Sequence, residues 1–551
     1  MSNNKSSFWL PVLVALSLLT GFYFGNFYMK KNLRFLGNNK LETILNIIDL
    51  QYVDTVDMDK LVDNTANHII RELDPHSVLI PPEELVLVAD KLEGSFSGIG
   101  ISFNMLSDTI LVLNVIHKGP AEKAGILPYD RIVTVNDSVY FGKDENEIKQ
   151  MLRGEKNSKV KLGIKRGNTP ELLHFDVTRG DVPTYSISAS NNLGNGIGYI
   201  KIEDFARTTY NEFITSIAKL RKDGCEKFVI DLRGNSGGYM EAAIRMINEL
   251  IPANQPIVYM EGKSFQRKEF HSNGSGSCQD APLVVLVDEA SGSASEIFAG
   301  AIQDNDRGLI IGRRTFGKGL VQAKIDLEDG SELRLTIARY YTPSGRCIQK
   351  YYEMGHSDEY YRDIEHRFQH GEFDSADSIK MDNLPEYKTD GGRTVYGGGG
   401  IMPDIFIPRD TSNITSYYSA VMHSGLFYQF VLEYSDSHHR KLSSFKTYEE
   451  LHAYLKTQPL LTLFTDFAEE RGIRKRPTLI QISGKLIENA LHAYIVRNFF
   501  DNSEFYAIIL SDDTTLLRAV REINNGTWKP VTLTIRNSAS PFNQPLIETR
   551  G

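Results

Sequence analysis

Three short segments of this chain combine residue types that support acyl transfer. The first is Glu289-Ala290-Ser291-Gly292-Ser293-Ala294-Ser295-Glu296, which follows an apolar run of strand length and opens a helical pattern. A turn of small residues leaves a hydroxyl in the open. The unpaired amides of a helix N-terminus are free donors, and the helix dipole favours negative charge beside them. That suits a nucleophile and its oxyanion, although an ordinary serine N-cap fits the same residues. The second, Thr315-Phe316-Gly317-Lys318-Gly319-Leu320-Val321-Gln322, sets a lysine between two glycines at the start of a strand. Burial strips hydration from an ammonium and moves its pKa from ~10.4 toward about 7–8, the range of a general base. A solvated turn lysine is the plain alternative. The third, Asp231-Leu232-Arg233-Gly234-Asn235-Ser236-Gly237-Gly238, ends one strand and precedes a helix. Its paired glycines free backbone N–H groups to face a ligand oxygen, or simply close a tight turn.

Other chemistries find less support. No Gly-x-x-x-x-Gly-Lys-Ser/Thr loop is present, and the 13 histidines form no His-Glu-x-x-His pair and accompany no Gly-x-Ser-x-Gly elbow. Three scattered cysteines, Cys225, Cys278 and Cys347, are too few for a disulfide framework or a zinc cluster, and one bridge stays open. We expect no metal and no cofactor.

The elements that must position these residues follow from apolar patterning. Ile197–Ile202, Lys227–Leu232 and Leu283–Asp288 are runs of strand length. They alternate with helical periodicity over Tyr210–Lys222, Tyr239–Leu250 and Ser293–Gln303. That alternation predicts βαβ units and a largely parallel sheet, with Ser293 and Gly237-Gly238 at the carboxyl ends of strands, where open α/β sheets gather their sites. Ile310–Gly312, Val321–Ile325 and Glu332–Arg339 add strands, the last two joined by an Asp329-Gly330 hairpin signal. Residues 39–92 look helical until Asp74-Pro75-His76-Ser77 breaks the pattern, where His76 reads as a turn residue. Residues 94–179 turn to short strands and glycine turns. Residues 351–396 are polar, tyrosine-rich and glycine-punctuated, an insertion or long loop, and Ile401–Pro408 reads as one more strand. Beyond Arg409 helical patterns return, around 414–434, 448–470, 478–500 and 513–524.

Composition narrows the class. The 551 residues are 41% hydrophobic and 24% charged, which is ordinary globular usage. A net charge of −9 gives no basic footprint for nucleic acid. Phe8–Tyr28 is a 21-residue stretch without a charge, long enough to cross a hydrocarbon core of about 30 Å. It reads as an uncleaved anchor or as a signal segment. Lys30, Lys31 and Arg34 after it, against Lys5 before it, weakly favour a cytoplasmic body and leave orientation open.

Taken in order, the segments resemble the C-terminal processing (tail-specific) peptidases, serine proteases with a Ser–Lys dyad. The resemblance runs over roughly residues 40–350 and again near 397–408. It is carried by Leu73-Asp74-Pro75-His76-Ser77, Phe96-Ser97-Gly98-Ile99-Gly100-Ile101, Gly119–Ile126, Asp130-Arg131-Ile132, Asp231–Gly238 and Gly292–Glu296. Phe316-Gly317-Lys318-Gly319 with Gln322, and Tyr340–Arg346, complete it. The chain has Gly292 where many such relatives have Ala, and Gly234 where they often have Asn.

The resemblance implies Ser293 as nucleophile, Lys318 as general base and Gln322 as the residue that helps position that base. The oxyanion donors would be Ala294 with Gly237 or Gly238, left unseparated. It implies a PDZ domain whose Ser97, Gly98, Ile99, Gly100 and Ile101 receive a substrate carboxylate, with Arg153 as a candidate cation nearby. The fold expected is a multidomain α/β protein. Residues 1–38 form the anchor or signal segment, 39–93 a helical segment and 94–182 the PDZ domain. Residues 183–409 form a crotonase- or Clp-like α/β peptidase core with an insertion near 351–396, and 410–551 a helical C-terminal extension. The expected partners are polypeptides with free C-termini, the membrane through the N-terminal segment and a second copy of the chain; the expected setting is the bacterial envelope. The catalytic body would be periplasmic and anchored to the inner membrane, or released if the N-terminal segment is cleaved. A PDZ scaffold with a degenerate core and a crotonase-type acyl-CoA enzyme are the rival readings.

Overall fold

The computed structural model describes residues 40–82, 84–85, 92–106, 109–116, 118–139, 145–166, 171–379 and 384–527, together with Ser17 and Thr20. The expected anchor over Phe8–Tyr28 therefore lies outside the described residues apart from those two. Among the described residues no helix is long and apolar enough to cross a membrane.

The sheet behind the site has six strands in the order Ile187–Asn192, Ile197–Ile202, Lys227–Asp231, Leu283–Val287, Leu309–Gly312 and Ile405–Phe406. The first pairs antiparallel and the rest are parallel. Leu283–Val287 is buried along its whole length, as is Ile197–Ile202. Both faces of a parallel sheet are covered, so its strands are apolar throughout rather than alternating. On one face the helices Thr209–Lys222, Met240–Asn248 and Ala294–Asp304 bring Phe213, Ile217, Met246, Phe298 and Ile302 onto Ile200, Ile230 and Val285.

The other face is closed from far along the chain. Leu516, Ala519 and Ile523 of the helix Thr514–Asn525 pack on Tyr199, Val229, Val284, Leu286 and Ile311. Leu516 and Ile523 each gain about 1.5–3 kcal/mol by leaving water. The helix Thr514–Asn525 is thus a layer on this sheet as well as part of the helical extension.

A second, antiparallel sheet carries the lysine segment. Leu320–Asp326 and Glu332–Tyr341 form a hairpin across Asp329-Gly330. On the side of Glu332–Tyr341 away from Leu320–Asp326, Pro256–Glu261, itself extended by Lys268–His271, pairs with Arg339–Tyr341, and Val78–Ile80 pairs with Glu332–Arg334. That pairing carries Asp74-Pro75-His76-Ser77 across to the lysine hairpin.

Residues 351–396, expected as an insertion or long loop, contain the helix Ser357–Gln369 and the hairpin Glu386–Lys388 with Thr394–Tyr396. The helix forms because its polar surface hides two anchors: Tyr360 and Arg367 are buried. Arg367 bonds Glu372 and the carbonyls of Arg314 and Thr315.

The β-rich module has a six-stranded sheet packed around Ile110, Val112, Ile132, Val160, Leu162 and Val177, with the helices Pro120–Ala124 and Glu145–Leu152. It touches the C-terminal helices directly. Leu111 is buried with Leu432, Arg131 pairs with Asp436 at 2.9 Å, and the rings of Tyr129 and His439 lie 4.2 Å apart. The helices from Ser416 to Ile509 have their own core of Phe427, Phe430, Phe464, Ile487 and Leu491. All three cysteines are free thiols.

Candidate active site

Strand Leu283–Val287 ends, and the chain turns through Gly292 into the helix Ala294–Asp304. Ser293 makes the turn at φ 55° and ψ −113°, a conformation that costs a non-glycine residue about 1–3 kcal/mol. Its flanking serines hold it there. Ser291 Oγ donates to the Leu232 carbonyl and Ser295 Oγ to that of Asn235, both at 2.9 Å. The Gly292 N–H reaches the same Asn235 oxygen at 3.0 Å. The Glu296 N–H donates to the Ser293 carbonyl at 2.9 Å, and the Ser293 side chain stays partly exposed.

Glu296, three residues on, is fully buried and organises the site. Its Oε2 accepts the N–H of Ser293 at 2.9 Å and the N–H of Lys318 at 2.8 Å. Two donors on one oxygen bring those amide nitrogens within about 6 Å of each other. Its Oε1 accepts the Thr315 hydroxyl at 2.5 Å and the Gly317 N–H at 2.7 Å. All four partners are neutral, and burial pushes the Glu296 carboxyl up to about 6 while these hydrogen bonds hold it down.

The glycines beside Lys318 are where backbone packs on backbone. A Cβ at Gly317, whose φ is +89°, would meet Lys350 Cβ at 3.0 Å and one at Gly319 would meet Gln349 N at 2.8 Å. Lys318 is half-buried. Desolvation pushes its pKa below the ordinary lysine value; Arg334 adds to the shift, while Glu296 and Asp74 oppose it. The Ser293 hydroxyl and the Lys318 amine are not hydrogen-bonded to each other; the shared carboxylate ties their main chains. Gln322 donates to Thr336 Oγ1 at 3.2 Å rather than to the lysine, and Thr336 donates to Asp74 at 3.0 Å. Asp74 also accepts Ser77 Oγ at 2.5 Å and the His76 N–H at 2.9 Å. His76 lies against Tyr360, its Nε2 at 2.8 Å from the phenol oxygen. Burial, with Lys318 nearby, lowers its pKa to about 3, so the ring is neutral.

Across from the serine lies the Asp231–Gly238 loop. A Cβ at Gly237 would stand 2.8 Å from Ser293 Cβ, and one at Gly238 would stand 2.3 Å from the Phe205 oxygen, so both positions require glycine. The Gly237 N–H is committed to Asn235 Oδ1 at 2.8 Å. Among the described residues the N–H groups of Gly238 and Ala294 have no acceptor. The loop hangs on Asp231, which accepts the Arg233 N–H at 2.9 Å, Nη2 at 2.6 Å and the Tyr199 hydroxyl at 2.8 Å. Burial alone would raise the Asp231 pKa, but Arg233 and Lys201 outweigh it and hold it at about 2.

In the β-rich module, Ser97 and Gly98 belong to the strand Ser95–Gly98, which pairs with Gly180–Pro183, so ladder hydrogen bonds occupy that part of the expected loop. Ile99, Gly100 and Ile101 line a cavity of about 270 Å³ with Phe96, Phe103, Leu152 and Arg153. Arg153 stacks on Phe96 at 4.3 Å.

Sequence reasoning quoted Glu296 without giving it a task. Its place three residues after Ser293 is the capping-box spacing and was the available signal. Asp74, 262 residues from Thr336, left none. The two departures from the resemblance are both accommodated. A methyl at Gly292 would meet Ser236 O at 3.4 Å, an ordinary contact, and Gly234 has a left-handed φ of +74° with open space around it.

Residues 196–356 match Peptidase family S41, residues 97–177 match a PDZ domain, and residues 417–501 match a family of unknown function, DUF8443. The carboxy-terminal processing protease CtpB of Bacillus subtilis (strain 168) is 33% identical over 315 residues, 57% of this chain and 65% of that one. CtpA of the same organism is 35% identical over 313 residues, 57% of this chain and 66% of that one. The chain thus spans slightly under two thirds of the length of these relatives. Among solved structures, the photosystem II D1 C-terminal processing protease is 25% identical, covering 68% of this chain and 88% of that one with a TM-score of 0.34.

Proposed function

We propose, for a chain that carries a peptidase family S41 domain and a PDZ domain, that it is a serine endopeptidase of the C-terminal processing type. Ser293 Oγ attacks a peptide carbonyl while the neutral Lys318 amine takes its proton and then delivers it to the leaving amine. The N–H groups of Ala294 and Gly238, free of acceptors, receive the oxyanion. Water then attacks the acyl-enzyme with Lys318 again as base. Gln322 acts through Thr336 and Asp74, on the wall behind the lysine, and not by direct contact with it. The observation that carries the reading is Glu296: one buried carboxylate oxygen holds the main chain of both the serine and the lysine.

The substrate class is a polypeptide with a free C-terminus, taken up at the cavity beside Ile99, Gly100 and Ile101, where an extended chain adds to the sheet edge. The 21 uncharged residues Phe8–Tyr28 support a membrane anchor, and the placement of the catalytic body in the periplasm rests on the resemblance to the C-terminal processing peptidases.

Digestion of a peptide with an apolar free tail, followed by mass spectrometry, tests the reading. Ser293→Ala and Lys318→Ala are each expected to lower the rate by at least about a thousandfold with the fold intact. Full activity in either variant would reject the dyad.

A further inference from the structure

The oxyanion loop is held from outside the catalytic sheet as well as from within it. Arg233, its third residue, uses Nε and Nη2 on Asp231 and extends Nη1 to Asp513 Oδ2 at 2.8 Å. Asp513 stands 280 positions later in the chain, beyond residues 196–356. Its other oxygen, Oδ1, accepts the Leu516 N–H at 2.7 Å and caps the helix Thr514–Asn525. That helix lies across the sheet through Leu516, Ala519 and Ile523. One carboxylate therefore starts the covering helix and grips the loop that presents Gly238. Both side chains are largely removed from solvent, at 18% exposure for Arg233 and 20% for Asp513. The remaining charged groups facing Arg233 belong to the sheet: Asp231, and Lys201, whose Nζ donates to the Arg233 carbonyl.

We propose that Asp513 is a positioning residue for the oxyanion loop, so that the C-terminal extension takes part in catalysis through Arg233. The proposal rests on the dyad reading above, since Gly238 matters to rate only if the loop serves an oxyanion. Without Asp513, Arg233 keeps its grip on Asp231 at the end of the strand Lys227–Asp231 and loses its only carboxylate outside the sheet among the described residues. The consequence falls on the transition state, because the loop's N–H contacts an oxygen that becomes charged only there.

Asp513→Asn separates the two tasks. Asparagine caps a helix as well as aspartate does, while its amide turns a donor toward the Arg233 guanidinium. Asp513→Ser also keeps a cap and is too short to reach the arginine. Each variant is expected to lower kcat on a tailed peptide about tenfold, with KM changed by less than about twofold. Each is also expected to speed amide hydrogen exchange over Asn235–Gly238 while thermal unfolding stays cooperative. Unchanged exchange in either variant overturns the proposal, as does unchanged kcat. A fall in kcat that accompanies loss of cooperative unfolding in both variants also overturns it, because Asp513 would then serve only the fold. Were the parent protein itself inactive on the peptide, the dyad reading would fail, and the exchange measurement would still decide the role of Asp513.

Discussion

The two sides of the site each hang on one buried carboxylate, and the two are solved in opposite ways. Glu296 is surrounded by neutral donors, three amides and one hydroxyl, and its pKa rises to about 6. Asp231 sits among Arg233, Lys201 and the Tyr199 hydroxyl, and its pKa falls to about 2. Desolvation is the first cause at both, so the partners decide the sign. The difference suits the places. In the proposed mechanism, a cation placed beside Lys318 to neutralise Glu296 would disfavour protonation of the lysine and crowd the space a substrate would take. The Asp231–Gly238 loop would contain no group that changes charge, so a strong ion pair there adds stiffness without interfering with proton transfer.

The largest effect that would break this comparison is expected at Asp231. Asp231→Asn leaves Arg233 and Lys201 facing a neutral amide in a dry site, and a loss of about 3–5 kcal/mol in denaturant-unfolding stability is expected. A loss below about 1 kcal/mol would mean the ion pair is dispensable to the loop.

The next effect is in pH dependence. A free glutamate carboxyl titrates near 4.5 and the buried Glu296 near 6, so the native state holds more protons across that window. Its contribution therefore falls as pH rises from about 4.5 to 6, by about 2 kcal/mol. Asp231 runs the other way: its contribution is present above 3.8 and is lost as pH falls toward about 2. Urea titrations at a series of pH values should show Glu296→Gln removing the first slope and leaving the second in place. An unaltered slope between 4.5 and 6 would place the proton elsewhere.

The smallest effect sharpens the contrast between the two sides of the serine turn. Gly292→Ala adds a methyl at ordinary contact distance and at a backbone angle that needs no glycine. A gain of about 0.4–1 kcal/mol in thermal unfolding, with activity retained, is expected. The same change at Gly237 would drive a methyl to 2.8 Å from Ser293 Cβ.

Much of this architecture was legible in local pattern. The parallel strands showed as apolar runs, and the Asp329-Gly330 hairpin, which carries Lys318 at its base, showed in two residues. Ser293, Lys318 and the Gly237-Gly238 pair each fit an ordinary cap or turn when taken alone, and stood out through their order along the chain, which carries the resemblance. What escaped was made by distance along the chain. The helix Ser357–Gln369 has a polar surface and owes its place to Tyr360 and Arg367, buried against segments the periodicity does not connect. The pairing of Val78–Ile80 with Glu332–Arg334 brings Asp74 to the lysine hairpin and depends on a register that three residues cannot announce. The Arg233–Asp513 contact joins two segments that each look complete alone.

The β-rich module leans on the helices of the C-terminal extension, those helices lead to the layer that backs the parallel sheet, and the sheet returns to the module through the strand Gly180–Pro183. The three bodies therefore make a closed linkage, in which a tilt at any joint has to be absorbed at the other two. The joint between module and helices is the weak one. Its Arg131–Asp436 pair is partly exposed and worth at most about 1 kcal/mol. Tyr129, wedged against His439 at a left-handed φ of 67°, buries a hydroxyl that has no partner among the described residues, a defect of about 1–3 kcal/mol. Parting there would let that hydroxyl reach water, so this joint is the one expected to yield first under denaturant.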